Sequence, residues 1–268
     1  LRLARGLGAR ALFFSWQNLL RRYPWPFSAF ERQVLRMADG AIAGSQEAQA
    51  VWRAKGFTGP IAVIPQFGVD VDIFRPVARP AGPEAGRPFV AGYAGRLVRE
   101  KGVDILLRAA AQLPAQVHLR LIGGGPAQAA LQQQAAALGL AGRVAWRPLV
   151  PSEQMPAELA ALDFLVLPSR TRPNWKEQFG RVLIEAMACG VPVIGAASGE
   201  IPNVIGEAGL LFPEEDAATL AERLRQLWQQ PELAARLSTL GQARARALYS
   251  QRRIAEETAA VYRRLMIH

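Results

Sequence analysis

Between residues 89 and 212 the chain alternates short apolar runs with helical ones, and few architectures accept that order. FVAGYAG (89–95), VHLRLIG (117–123), RVAWRP (143–148), DFLVLPS (163–169), VPVIGA (191–196) and GLLF (209–212) read as strands. Helical patterns fill the gaps at 103–113, 127–138, 156–162 and 181–188, with a short one near Ile201. Strict alternation of this kind specifies an open parallel sheet with helices on both faces. The expected fold class is α/β, a Rossmann-like doubly wound parallel sheet whose ligands sit at the carboxyl ends of the strands. Beyond residue 212 the pattern is purely helical, with Pro231 and Ser250 as helix starts, so a helical C-terminal tail completes the chain.

Upstream, DGAIAGS (39–45), a helix over 46–55 and IAVIP (61–65) form a smaller strand-helix-strand unit. The Pro- and Gly-rich stretch 75–88 reads as a linker. Two segments are expected: residues 1–78, short and irregular, and residues 79–268, the larger domain. Because the first segment is too small for a domain of its own and lacks an initial Met, further sequence is expected to precede Leu1.

A chain of 268 residues, 50% of them hydrophobic, can bury a sizeable core. No run approaches the roughly 18 apolar residues of a membrane span and no signal peptide is legible, so a cytoplasmic setting is expected. Cys189, inside AMACG, reads as a small buried hydrophobe; His118 and His268 are not placed to activate it. The net charge of +10 calls for anionic company. It is densest in the first forty residues, where seven arginines face only Glu31 and Asp39. With Leu12, Phe13, Phe14, Trp16, Trp25 and Phe27 beside them, the segment reads as a helix taken from a larger core, or as one that docks on a partner or an anionic membrane surface. Lysine is rare: Lys55, Lys101 and Lys176 are the only three among 32 basic residues.

KEQFGRVLIEAMACG (176–190) sets Glu177 and Glu185 eight positions apart. On one continuous helix they would lie about 12 Å apart along the axis and about 80° around it. That exceeds the roughly 5–9.5 Å between the carboxylates of a glycosidase pair. Gly180 resists a helix interior, and the apolar period of Val182, Leu183, Ala186 and Met187 begins after it. Glu177 is therefore expected in the loop before the helix and Glu185 one to two turns in, a spacing suited to gripping one extended ligand at both ends.

GYAGRLVREKG (92–102) leaves a strand through a glycine turn and opens a helix, with Arg96 and Lys101 projecting from the loop. Fixed cations beside helix N-terminal amides make a competent anion site. LIGGGPAQ (121–128) repeats the arrangement, although it lacks the spacing of a dinucleotide fingerprint. Asp70-Val71-Asp72 matches a short metal-chelating pattern but has no supporting His or carboxylate cluster, so no metal is expected. The tryptophans are scattered and not interleaved with basic residues along one groove, so no nucleic-acid partner is expected either.

IPQFGVDVDIFRP, GYAGRLVREKGVDILLRAAAQL, LRLIGGGP, LDFLVLPSR, KEQFGRVLIEAMACGVPVIGAASGEIPNVIGEAGLLFP and the helical tail, in this order and spacing, resemble the retaining GT-B glycosyltransferases of family 4. The resemblance runs from about Glu31 onward. It implies that 79–268 is the C-terminal half of a GT-B fold, which binds a nucleoside diphosphate sugar without a metal and transfers the sugar with retention. A UDP-sugar is favoured over a GDP-sugar. Residues 1–78 would be the remnant of the N-terminal acceptor domain, the rest of which would be a missing partner. Carried over by position, Arg96 and Lys101 hold the diphosphate, Gly95 lines its loop and Glu177 faces the donor sugar. Gln178, Phe179 and Gly180 contact sugar and phosphate, Glu185 binds the ribose hydroxyls, and Arg147 to Leu149 lie beside the base. Catalytic roles fall to Glu177, Arg96 and Lys101. Many members have Glu where this chain has Asn203, with Glu200 nearby. The last helix is expected to pack on the missing domain. The resemblance also admits a nucleotide-sugar-binding module that does not catalyse transfer by itself.

Overall fold

The computed structural model describes residues 6–77 and 87–267. The centre of the expected linker, 78–86, and His268 lie outside the described residues. The chain forms two compact units, Leu1–Gly68 with Gln251–His268, and Val69–Ser250.

In the smaller unit β1 (Leu12–Ser15), β2 (Gly40–Ala43) and β3 (Ile61–Val63) form a parallel sheet in that order. Helices α1 (Phe27–Met37) and α2 (Gln46–Ala54) make the crossovers. Ser45 caps α2, its Oγ accepting from Ala48 N at 3.1 Å. The basic, aromatic opening is thus not one helix. Successive strand residues face opposite ways, so Phe13 packs edge-on against Trp52 and Phe57, with ring centroids 5.0 and 5.1 Å away, while Phe14 meets Trp16 on the other side. A run of four residues with two adjacent phenylalanines carries no visible alternation by itself, and parallel pairing to β2 is what makes it a strand. The final helix (Gln251–Ile267) belongs to this unit too and not to the larger one. Its Ile254 is buried with Ile42 and Ile64, and Leu12, Ala62 and Val261 pack around them. The expected division at 78/79 therefore places this helix differently from the compact units, because its apolar stripe covers the three-stranded sheet.

The larger unit is built on six parallel strands, β4 (Phe89–Ala94), β5 (Val117–Ile122), β6 (Val144–Arg147), β7 (Phe164–Leu167), β8 (Val193–Ala196) and β9 (Gly209–Phe212). They lie in the order β6-β5-β4-β7-β8-β9. Helices α3 (Val103–Ala110), α4 (Gln128–Ala137), α5 (Met155–Ala160), α6 (Arg181–Ala188) and α7 (Ile201–Ile205) connect them, followed by α8 (Ala217–Gln229) and α9 (Pro231–Tyr249). The chain works outward from β4 to one edge, then returns and works outward from β7. That reversal makes the crevice at the carboxyl ends of β4 and β7 the place where a ligand fits.

Strands β7 and β8 are buried at every position, which is why they read as unbroken apolar runs. Six of the eight residues of α3 are buried as well. Tyr93, Phe164, Leu119, Leu121, Ile105 and Leu106 are fully enclosed, each contributing roughly 1.5–3 kcal/mol by leaving water. Strands β4, β5 and β7 stop a residue or two before the sequence pattern does, because Gly95, Gly123 and Pro168 turn into the loops. Strand β6 starts at Val144, since 141–143 form a short 3-10 turn. There the Arg143 guanidinium donates to the carbonyls of Val117 at 2.7 Å, Pro114 at 3.0 Å and Ala110 at 3.1 Å. Cys189 is buried just past α6, as its apolar setting predicts.

Candidate functional site

The loops leaving β4 and β7 meet at the reversal in strand order. After β4 the chain passes Gly95 and Arg96 and closes a 3-10 turn over Arg99–Lys101. Gly102 follows at φ +67°, where an added Cβ would stand 1.9 Å from the carbonyl oxygen of Pro168. Only glycine lets this turn lie against the β7 loop. The contact brings Lys101 to Glu177, 76 positions away, with Nζ to Oε2 at 2.6 Å. The same Oε2 accepts from Ser169 Oγ at 2.8 Å. The Lys101 side chain is 21% exposed and that of Glu177 is 9% exposed, so the pair is largely shielded yet open on the lysine side. An indole ring supports the ammonium, with Nζ 5.1 Å from the Trp175 ring centroid.

Around this pair the loops are joined through their backbones. Gly95 N donates to Ile122 O at 2.9 Å and Gly123 N to Arg147 O at 3.0 Å, linking the carboxyl ends of β4, β5 and β6. Leu97 N donates to Gly124 O at 2.9 Å, so the GGGP segment serves as a packing surface for the Arg96 loop. The Tyr93 hydroxyl donates to Arg96 O at 2.7 Å. Burial, with Glu177 and then Glu100 adding to it, pushes the Tyr93 hydroxyl far above its ordinary range, and it stays a donor. Arg96 itself is exposed, and its guanidinium has no carboxylate partner among the described residues. The loop thus carries two exposed arginines, Arg96 and Arg99, beside the paired Lys101.

Glu185 lies one turn into α6, and Gly180 stands immediately before the helix, as the spacing predicts. Its carboxylate is buried and takes Arg181 Nε at 2.7 Å. Burial raises its pKa, opposed by the charge and hydrogen bond of Arg181. The folded state therefore holds this proton more tightly than the unfolded chain does. The protonated form carries the advantage at acid pH, and stability is lost as pH rises through the raised value. Glu185→Gln is accordingly expected to raise the melting temperature at pH 8 and to give a smaller gain at pH 5. Thermal denaturation at both pH values checks this, and an equal shift at both would show that burial of the charge is not the cause.

The remaining expected residues fall around this centre. Phe179 is buried and packs edge-on with Tyr249, centroids 5.6 Å apart, while Gln178 is exposed. Arg147 ends β6 and pairs with Glu158 at 3.1 Å, and Leu149 is among the most exposed apolar side chains. A direct side-chain hydrogen bond brings together Lys101 and Glu177; Arg147 and Leu149 stand two strands from β4. Glu200, and not Asn203, is the residue that reaches the Glu177 segment, its N donating to Glu177 O at 3.1 Å. Asn203 contributes its carbonyl to Arg244 at 2.7 Å. The Asp70-Val71-Asp72 pattern has a local role, with Asp70 Oδ1 accepting from Asp72 N at 3.0 Å within a turn. Sequence reasoning missed Ser169 and Trp175. Their positions, directly after a strand and directly before the Lys-Glu pair, were the available signals, but neither has a periodicity that marks it.

A doubly wound parallel sheet whose strand order reverses beside a lysine, a carboxylate and a hydroxyl defines a Rossmann-like unit with a candidate ligand crevice. The family model for glycosyl transferases group 1 matches residues 74–244, and the chain belongs to that family. It is 34% identical over 253 residues to a D-inositol 3-phosphate glycosyltransferase of Streptomyces avermitilis, covering 87% of this chain and 53% of that protein. It is 32% identical over 256 residues to a GDP-mannose-dependent alpha-(1-6)-phosphatidylinositol monomannoside mannosyltransferase of Mycolicibacterium smegmatis, covering 89% of this chain and 66% of that one. The chain thus spans about half to two thirds of the length of these curated relatives. Among solved structures it resembles Anabaena HepE in complex with UDP, with a TM-score of 0.81 and 26% identity over 97% of this chain and 73% of that one. No helix among the described residues is long and apolar enough to cross a membrane, and no group of three or more His, Cys, Asp or Glu among them could hold a metal.

Proposed function

We propose that the Val69–Ser250 unit is the donor site of a glycosyltransferase that moves a sugar from a nucleoside diphosphate sugar to an acceptor with retention and without a metal. The observation that carries this reading is the Lys101–Glu177–Ser169 cluster at the reversal of strand order, with Arg96 exposed on the loop beside it. Breaking a glycosyl phosphate bond builds negative charge on the departing diphosphate. Two fixed cations on that side stabilise the charge as it develops. Lys101 has three N–H donors, and Glu177 occupies one of them. The others can meet phosphate oxygens while Glu177, held from two sides, faces the sugar. Glu185 accepts from the ribose hydroxyls, a role its ionised form serves best. Arg147 and the following loop lie toward the base.

UDP is favoured as the nucleotide because HepE, the structural neighbour, was solved with it; the mannosyltransferase relative is by name GDP-mannose-dependent. Leu1–Gly68 belongs, on this reading, to the acceptor domain. The further length of the relatives supplies the rest of that domain, so the present chain binds donor and transfers little by itself. Calorimetric titration of the 268-residue chain with UDP, GDP and their sugar conjugates, in the presence of EDTA, tests the proposal. Binding selective for one base is expected. Binding to none of them, or binding that needs a divalent cation, would overturn it.

A further inference from the structure

The segment between Ser169 and Glu177 is fixed at both ends and closed on itself in the middle. At its start Arg170 reaches both oxygens of Asp104, at 2.6 and 2.7 Å, and Glu215 at 3.0 Å. Thr171 gives its N–H and its hydroxyl to Glu214, each at 2.6 Å. At its end the carbonyl of Glu177 is taken by Glu200 N. Between these anchors Arg172 and Trp175 form a tight turn, with Arg172 N to Trp175 O at 2.7 Å and Trp175 N to Arg172 O at 3.1 Å. The turn delivers the indole to the Lys101 ammonium, which Glu177 grips separately.

An indole face attracts a cation without offering the oxygen lone pairs that would tie up its N–H groups. It also keeps water off the flank it covers, which strengthens the attraction between the ammonium and an incoming anion. We propose that Trp175 is a positioning residue for Lys101, holding the ammonium where it meets the outer phosphate of a nucleoside diphosphate. The turn that carries it makes the site select diphosphates over monophosphates. This inference rests on the donor-site reading above.

The test is the ratio of UDP to UMP affinity, or of GDP to GMP if guanine is the base bound, measured by calorimetry on the 268-residue chain. Trp175→Ala is expected to lower that ratio about five- to tenfold while monophosphate affinity stays near that of the wild type. Trp175→Phe should restore most of it, and Trp175→Leu, which fills space without a ring face, should not. In a Lys101→Ala background, Trp175→Ala should change the ratio no further. An unchanged ratio in Trp175→Ala, with Lys101→Ala still lowering it, would overturn the inference and leave the donor reading standing. If Trp175→Ala does not fold, as judged by circular dichroism, the comparison of Trp175→Phe with Trp175→Leu decides, and equal ratios would overturn the inference. Absence of nucleotide binding to the wild-type chain would overturn the donor reading and this inference with it.

Discussion

Lys101→Ala is expected to lower nucleoside diphosphate affinity about 10- to 100-fold, the worth of one charge-assisted hydrogen bond of roughly 1.5–3 kcal/mol. It should also destabilise the Val69–Ser250 unit, because Glu177 keeps its charge and its burial but loses the ammonium 2.6 Å away. Breaking a buried pair from one side costs about 3–5 kcal/mol. Here Lys101 is 21% exposed and Ser169 still donates to the carboxylate, so a cost of about 2 kcal/mol is expected. For a chain of this size that is a fall of about 4–8 °C in melting temperature. A second change separates the two effects. Adding Glu177→Gln removes the stranded charge and keeps a group that Ser169 can donate to, so stability should return while diphosphate affinity stays low. Thermal denaturation and calorimetric titration of the single and double variants give both numbers. Diphosphate affinity that survives Lys101→Ala would remove this residue from the donor site.

The second large effect is expected at a residue with no side chain. Gly102→Ala places a Cβ 1.9 Å from the carbonyl oxygen of Pro168, in a backbone conformation at φ +67°. The left-handed conformation alone costs an L residue about 1–2 kcal/mol. The clash is with backbone, which cannot rotate away as a flexible side chain can, so the turn carrying Lys101 must shift. A total of at least about 3 kcal/mol is expected, or about 6–12 °C in melting temperature, together with weaker nucleotide binding. Gly139→Ala is the control, since Gly139 has φ +71° and nothing within 4 Å of its added Cβ. It should show the conformational cost only, about 1–2 kcal/mol, and unchanged binding. Equal losses at the two positions would mean that the approach of the Lys101 turn to the β7 loop does not matter.

Both predictions concern a contact that the sequence shows only as two separate fragments. Lys101 was legible as a loop cation because a glycine turn and a helix start bracket it. Glu177 was legible as a loop carboxylate because Gly180 breaks the helical period before α6. Their pairing was not legible, and neither were Ser169 and Trp175, because partners that far apart in the chain leave no local signature. Strand β1 was missed for a related reason. Its aromatics alternate between two faces only after β2 lies beside them, and before that LFFS fits a helix or a strand equally well. The final helix shows a clear apolar stripe, but a stripe says that something is covered without saying what, and the three-stranded sheet is what it covers.

For the larger unit the sequence by itself determined the kinds of element, their alternation, and with them the parallel α/β architecture. Those depend on periodicity, capping and glycine breaks, whose physical range is one or two turns of chain. It also determined that Glu177 precedes α6 and Glu185 sits within it. Only the tertiary structure decided that strand order reverses between β4 and β7, that Lys101 and Ser169 both donate to Glu177, and that the last helix closes the smaller unit. These follow from long-range burial of apolar faces and from backbone approaches at Gly102, and such interactions exist only once distant segments have been brought together.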